Sequence, residues 1–255
     1  MSRLFARLFR PAPQTVPDTP IAPAGPFQVV GDIHGRLDLL RLILDASDPD
    51  LPLICVGDYV DRGEDSAGVL RLLAEASHLC LMGNHEEMLL DFLDAPESGG
   101  AQWLRHGGLQ TLASFGVAGV TTTTGPGALV AASGALRRAM GDDLIAWLRG
   151  LPLWHLTGNV AVVHAGADPA RPVDSQRNSL LWRHPDFART PRSDGLWVVH
   201  GHTVVERPMT EGNRIAIDTG AFGTGRLTMA QIAPGKVRFV STDGANGALL
   251  GDEPV

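Results

Sequence analysis

Six side chains of the kinds that bind hard or borderline metal ions follow short apolar runs in this sequence: Asp32 and His34, Asp58, Asn84, His164 and His202. They lie in FQVVGDIHG (27–35), LPLICVGDYVDRG (51–63), HLCLMGNHE (78–86), NVAVVHAG (159–166) and LWVVHGHT (196–203). Two divalent ions about 3.5–4 Å apart need ligands on both sides and a bridging carboxylate. Asp32 and His34, two residues apart in a turn, can share one ion. Asp58 is the natural bridge, and Asn84, His164 and His202 complete the second position. Such ligands suit Mn, Fe, Zn or Co, with availability deciding among them.

The elements that must position these residues follow from the runs themselves. Four to six apolar residues rich in Val, Ile or Leu and stopped by Gly fit a buried parallel strand. The ligand-type residues stand at or just past the C-terminal ends, where the loops of an open α/β sheet converge on one crevice. Helical stretches at 36–46, 64–76 and 86–94 alternate with strands at 27–31, 52–57 and 78–82, a βαβαβ order that predicts a parallel sheet. Residues 99–150 read as a helical insertion over or beside the crevice, with Trp103, Trp147 and Trp154 as its core anchors. Strand signals return at 152–156, 160–164 and 196–200. Short alternating runs at 214–221, 226–232 and 237–241 suggest a meandering second sheet, so the expected fold is α/β, a two-layered β sandwich flanked by helices.

The chain has 255 residues, 44% of them hydrophobic, enough for one large domain over 27–245 with a short tail at 246–255. A formal charge of −7 argues against broad electrostatic binding to nucleic acid. Cys55 and Cys80, both inside apolar runs, read as reduced core residues of a cytoplasmic protein. No stretch approaches the about 18 apolar residues that span a bilayer. Residues 1–26 are expected to be a disordered, Pro-rich leader: six prolines from Pro11 to Pro26 give an extended linker, and MSRLFARLFRP could alternatively make a short basic amphipathic helix able to touch an anionic membrane surface.

The five motifs together resemble the metallophosphoesterases of the phosphoprotein phosphatase type, which carry GDxHG, GDxVDRG, GNHE, a later HAG and a GHT. Here these are GDIHG (31–35), GDYVDRG (57–63), GNHE (83–86), HAG (164–166) and GHT (201–203). LLWR (180–183) and IDTG (217–220) bring the chain closest to the compact bacterial and phage branch. The resemblance implies a calcineurin-like fold and in-line attack on phosphorus by a hydroxide shared between two metal ions, with manganese the foremost choice. It implies His85 as the general acid, Asp61 as the group that holds and polarises it, and Arg62 and Arg183 as the phosphate clamp. It assigns the last ligand to His202 rather than His200, places Glu86 behind the ligands, and leaves Asp218 to shape the IDTG turn.

Three functions fit the resemblance: a phosphatase of phosphoserine and phosphothreonine, with phosphotyrosine a third candidate, in proteins or peptides, a hydrolase of bis(5'-nucleosyl) tetraphosphates, or a non-catalytic metal-binding scaffold. The tetraphosphate hydrolases usually carry GNHD and an altered VDRG turn, so Asp61, Arg62 and Glu86 favour the protein phosphatase. A scaffold would be expected to lack a ligand or the acid, and none is lacking.

Overall fold

The computed structural model describes residues 19–244 and 249–250, so the amphipathic leader helix and the end of the tail lie outside the described residues. The chain runs β1 (Phe27–Val30), α1 (Leu37–Ala46), β2 (Leu53–Cys55), α2 (Ser66–Glu75), β3 (Leu79–Cys80) and α3 (Asn84–Asp94). Helices α4 (Pro96–Trp103), α5 (Leu109–Ser114), α6 (Pro126–Met140) and α7 (Asp142–Arg149) follow, α4 and α5 being joined by a wide helical turn over Leu104–Gly108. The second half holds β4 (Trp154–Thr157), β5 (Val160–Val163), α8 (Arg177–Trp182), β6 (Trp197–His200), β7 (Met209–Glu211) and β8 (Arg214–Ala216). Helix α9 (Ala221–Thr224), β9 (Thr228–Ala233), β10 (Lys236–Thr242) and β11 (Leu249–Leu250) end the described chain.

Two mixed sheets face each other, one in the order β11-β10-β9-β1-β2-β3 and the other β4-β5-β6-β8-β7. The parallel trio β1, β2 and β3 has the expected arrangement, whereas β8, expected in a meander, pairs in parallel with β6, which itself runs parallel to β5. The sequence reading erred on the C-terminal strands. β9 pairs antiparallel with β1, aligning Val29 with Ala230 and Val30 with Met229, so the β9–β10 hairpin extends the first sheet and only 214–216 joins the second. Alternation predicts a half-buried strand but carries no information about which edge receives it.

Successive strand residues enter different cores. Phe27, Val29, Ile54 and Val56 pack between the sheets with Val160, Val162, Val199 and Ile215. Val30, Leu53 and Cys55 turn outward onto Leu40, Ile43, Leu70, Leu89 and Phe92 of the flanking helices. Ala161, Val163 and Val198 of the second sheet meet Leu180 and Phe187. Strands buried on both faces are near-continuously apolar, the buried Gln28 of β1 being paired with the Asp48 backbone, and rigid strands of this kind fix where their ends emerge. Cys55 and Cys80 are buried free thiols, paired as neighbours across β2 and β3.

The tryptophans divide. Trp103 is 1% exposed, and Trp147 packs partly buried beside Tyr59 with ring centroids 6.3 Å apart. Trp154 is no anchor of the helical segment: it lies on edge strand β4 and is 37% exposed, because alternation on that strand turns it away from the sandwich.

Candidate active site

Asp32 follows β1, Asp58 follows β2, Asn84 follows β3, His164 follows β5 and His202 follows β6, so both sheets deliver their C-terminal ends to one place. Glycines precede most of these residues for a steric reason. A Cβ at Gly83 would collide with Asp58 Oδ1, and one at Gly201 with Asp32 Oδ1. Seven non-glycine residues among those described have positive φ, and His34 (45°), Asp58 (53°), Asp61 (73°), Arg62 (66°), Arg183 (66°) and His202 (60°) are six of them. Such conformations cost about 1–3 kcal/mol each and persist only where the surroundings over-determine them.

Four ligand-type atoms crowd one point. Asn84 Oδ1 is 2.9 Å from both His164 Nε2 and His202 Nδ1, which are 3.2 Å apart. Asp58 Oδ1 lies 3.4 Å from His164 Nε2 and accepts the His85 backbone N–H at 3.0 Å. On the other side Asp58 Oδ2 is 3.5 Å from His34 Nε2 and 3.8 Å from His85 Nε2. His34 Nδ1 lies 2.8 Å from the Val60 carbonyl, which turns Nε2 inward. Asp58 therefore stands between two groups able to hold a cation, Asp58 with His164 and His202, and Asp58 with His34 and His85.

Asp32 belongs to neither group. It is buried, its Oδ2 accepts the His202 backbone N–H at 2.9 Å, and its Oδ1 has no hydrogen-bond partner. Burial, then the charges of Asp218 and Asp58, push its pKa well up. Asp218 is pushed to about 6, chiefly by burial, and its Oδ1 accepts the Gly220 N–H at 2.8 Å. Asp218 thus joins a carboxylate cluster that its sequence context did not reveal. Burial holds His34 at about 3 and His202 at about 4, and lowers His164, so all three are neutral at pH 7. Neutral imidazoles, clustered buried carboxylates and an orphaned Asp32 oxygen fit divalent cations, whose charge would relieve the mutual repulsion of the acids.

Beside this cluster His85 Nδ1 lies 2.6 Å from Asp61 Oδ2. Burial opposes a charged His85, but Asp58 and Asp61 outweigh it and its pKa rises above the ordinary value. Arg62 reaches His85 Nε2 with Nη2 at 3.1 Å and His34 Nε2 with Nη1 at 3.2 Å. Its guanidinium carbon lies 4.6 Å from the centre of the Phe222 ring, a half-exposed aromatic that no sequence motif singled out. Arg183 is exposed; its Nη1 is 3.5 Å from Thr203 Oγ1, next to His202 in the chain. His200 turns its ring against Phe187 at 4.9 Å, with Nδ1 3.0 Å from the Gly201 carbonyl, and is in neither ligand group.

The family model described as calcineurin-like phosphoesterase matches residues 25–215. Serine/threonine-protein phosphatase 1 of Salmonella typhimurium is 33% identical over 217 residues, covering 80% of this chain and 90% of that protein. A symmetrical bis(5'-nucleosyl)-tetraphosphatase of Aromatoleum aromaticum is 34% identical over 164 residues, covering 60% of this chain and 50% of that one. The crystal structure of a cold-active protein-tyrosine phosphatase from a psychrophilic Shewanella species superposes with a TM-score of 0.57 at 16% identity, over 89% of this chain and 80% of that one, a likeness of fold.

Proposed function

Because the chain belongs to the calcineurin-like phosphoesterase family, we propose that it hydrolyses phosphomonoesters with two divalent ions, manganese foremost, and that its substrates are phosphoserine and phosphothreonine in proteins or peptides. In this reading Asp32, His34, Asp58, Asn84, His164 and His202 are the ligands. Ions held there would lower the pKa of water and stabilise charge on the phosphoryl oxygens. His85 Nε2 gives its proton to the departing alkoxide as the P–O bond breaks, and Asp61 holds the ring from Nδ1. Arg62 and Arg183 bind phosphoryl oxygens, a role suited to the guanidinium fork.

The observation that carries this reading is the buried His85–Asp61 pair at 2.6 Å beside Asp58 and Arg62. A cation site alone requires no such pair. Identity of 33% to a serine/threonine phosphatase over nine-tenths of that protein's length favours the protein substrate. Tetraphosphatases aligned over a comparable share of their length are 26–28% identical, and they support the second reading. No helix among the described residues is long and apolar enough to cross a membrane, and residence in the cytoplasm belongs to the same proposal.

The test is a substrate panel with added manganese: phosphopeptides of each phosphoamino acid, diadenosine tetraphosphate, a cyclic nucleotide and nitrophenyl phosphate. The highest kcat/KM is expected on phosphoserine or phosphothreonine peptides. Preference for the tetraphosphate would transfer the assignment to the second reading.

A further inference from the structure

Asp61 is fully buried at 0% exposure, and the side chains that satisfy its carboxylate come mainly from outside its own motif. Thr111 Oγ1 donates to Oδ1 at 2.6 Å. Trp103 Nε1 donates to Oδ1 at 3.1 Å and Oδ2 at 3.0 Å. His85 Nδ1 takes the remaining direction on Oδ2 at 2.6 Å. The Asp61 backbone N–H donates in turn to Thr111 Oγ1 at 2.9 Å and Ser66 Oγ at 3.1 Å. Thr111 therefore ties the carboxylate to its own left-handed backbone.

The donors come from α4 and α5, with the wide turn between them shaped to reach the Asp61–Arg62 loop. A Cβ at Gly108 would run into the Trp103 indole, and one at Gly107, whose φ is 113°, into the Arg62 backbone. The Gly107 carbonyl accepts the Arg62 N–H at 3.3 Å. The indole is backed by Phe92, ring centroids 4.6 Å apart. An indole N–H donates and never accepts, so it can pair only with an acceptor oxygen of Asp61.

We propose that Trp103 and Thr111 are positioning residues for the general acid: from the helical segment they orient the Asp61 carboxylate so that His85 presents Nε2, with its proton, to the leaving-group oxygen. Neither touches the reacting atoms. The inference rests on the reading of this site as a phosphoester hydrolase with His85 as acid. It gives residues 96–114 a part in the chemistry beyond covering the site.

The test compares Trp103→Phe, Thr111→Val and Thr111→Ser with the parent and with His85→Asn, all full-length with manganese, on a phosphoserine peptide and on nitrophenyl phosphate. A poor leaving group needs its proton and a good one does not, and general acid catalysis is worth about 10²–10⁴-fold. The ratio of the two kcat values from one sample cancels any loss of folded protein. Trp103→Phe and Thr111→Val are expected to lower the peptide-to-nitrophenyl ratio about tenfold with KM for the peptide changed less than about twofold, and Thr111→Ser to restore it. An unchanged ratio in both variants, with a depressed ratio in His85→Asn, overturns the positioning role alone. An unchanged ratio in His85→Asn overturns the acid assignment beneath it.

Discussion

The Asp58 backbone N–H donates to Glu86 Oε2 at 2.8 Å, so the first residue of α3's acidic pair fixes the loop that carries the bridging carboxylate. The same oxygen accepts Gly83 N–H at 3.0 Å, while Oε1 accepts Tyr59 N–H at 2.8 Å and Val60 N–H at 3.3 Å. Asp58 answers through Oδ1, which accepts His85 N–H. The loops after β2 and β3 are thereby locked to each other by backbone donors.

Glu86→Gln is expected to destabilise the fold, since its amide NH2 would face backbone N–H groups on one side. Leaving a buried backbone donor unpaired costs about 1–3 kcal/mol, and loss of about 2 kcal/mol lowers Tm by roughly 4–8 °C in a domain of this size. Thermal denaturation checks it, and an unchanged Tm would mean that these donors find equal partners elsewhere.

Asp58→Asn should lose bound metal and most activity together. Metal analysis after dialysis, run beside turnover, is the measurement. Two retained ions with full turnover would place the bridge elsewhere.

His85→Asn should keep its metal content and slow hydrolysis, most of all for alkyl leaving groups. An unchanged rate on alkyl phosphates would remove His85 from the acid role. The expected loss is about 10²-fold or more.

Acid should release the ions, because His34, His164 and His202 bind only when neutral. The histidines also set a stability term whose sign follows from their low folded-state values, about 3 for His34 and about 4 for His202 against an ordinary 6.5. Between those values the unfolded chain takes up protons that the native rings refuse, so this stability is present above pH 6.5 and lost as pH falls through about 4 and then 3. Asp218, raised to about 6 from 3.8, works the other way: its contribution is present below 3.8 and lost as pH rises through 6. Manganese should therefore raise Tm more at pH 7.5 than at pH 4.5, where Asp218, at about 6, and the up-shifted Asp32 rather than the histidines hold protons that a cation must displace, and equal shifts would count against the ligand set.

The strand ends were legible because the grammar is local: an apolar run, a glycine that the next loop must approach closely, then a ligand-type residue. That grammar placed Asp58, Asn84, His164 and His202 around one point, and His34 beside Asp58. It could not show that Asp32 would rest one oxygen on the His202 N–H and leave the other without a partner, since orientation within a turn depends on neighbours distant in the chain. For the same reason alternation in 226–241 identified strands while assigning them to the wrong sheet.

The sequence by itself determined the chemical inventory, because donor type and spacing along a strand end are properties of the local chain. The tertiary structure alone decided who supports that inventory. Trp103 and Thr111 lie 42 and 50 residues from Asp61 and meet it only because α4, the turn and α5 fold back onto the Asp61–Arg62 loop. A buried carboxylate must find donors, yet no one-dimensional pattern says which element will provide them.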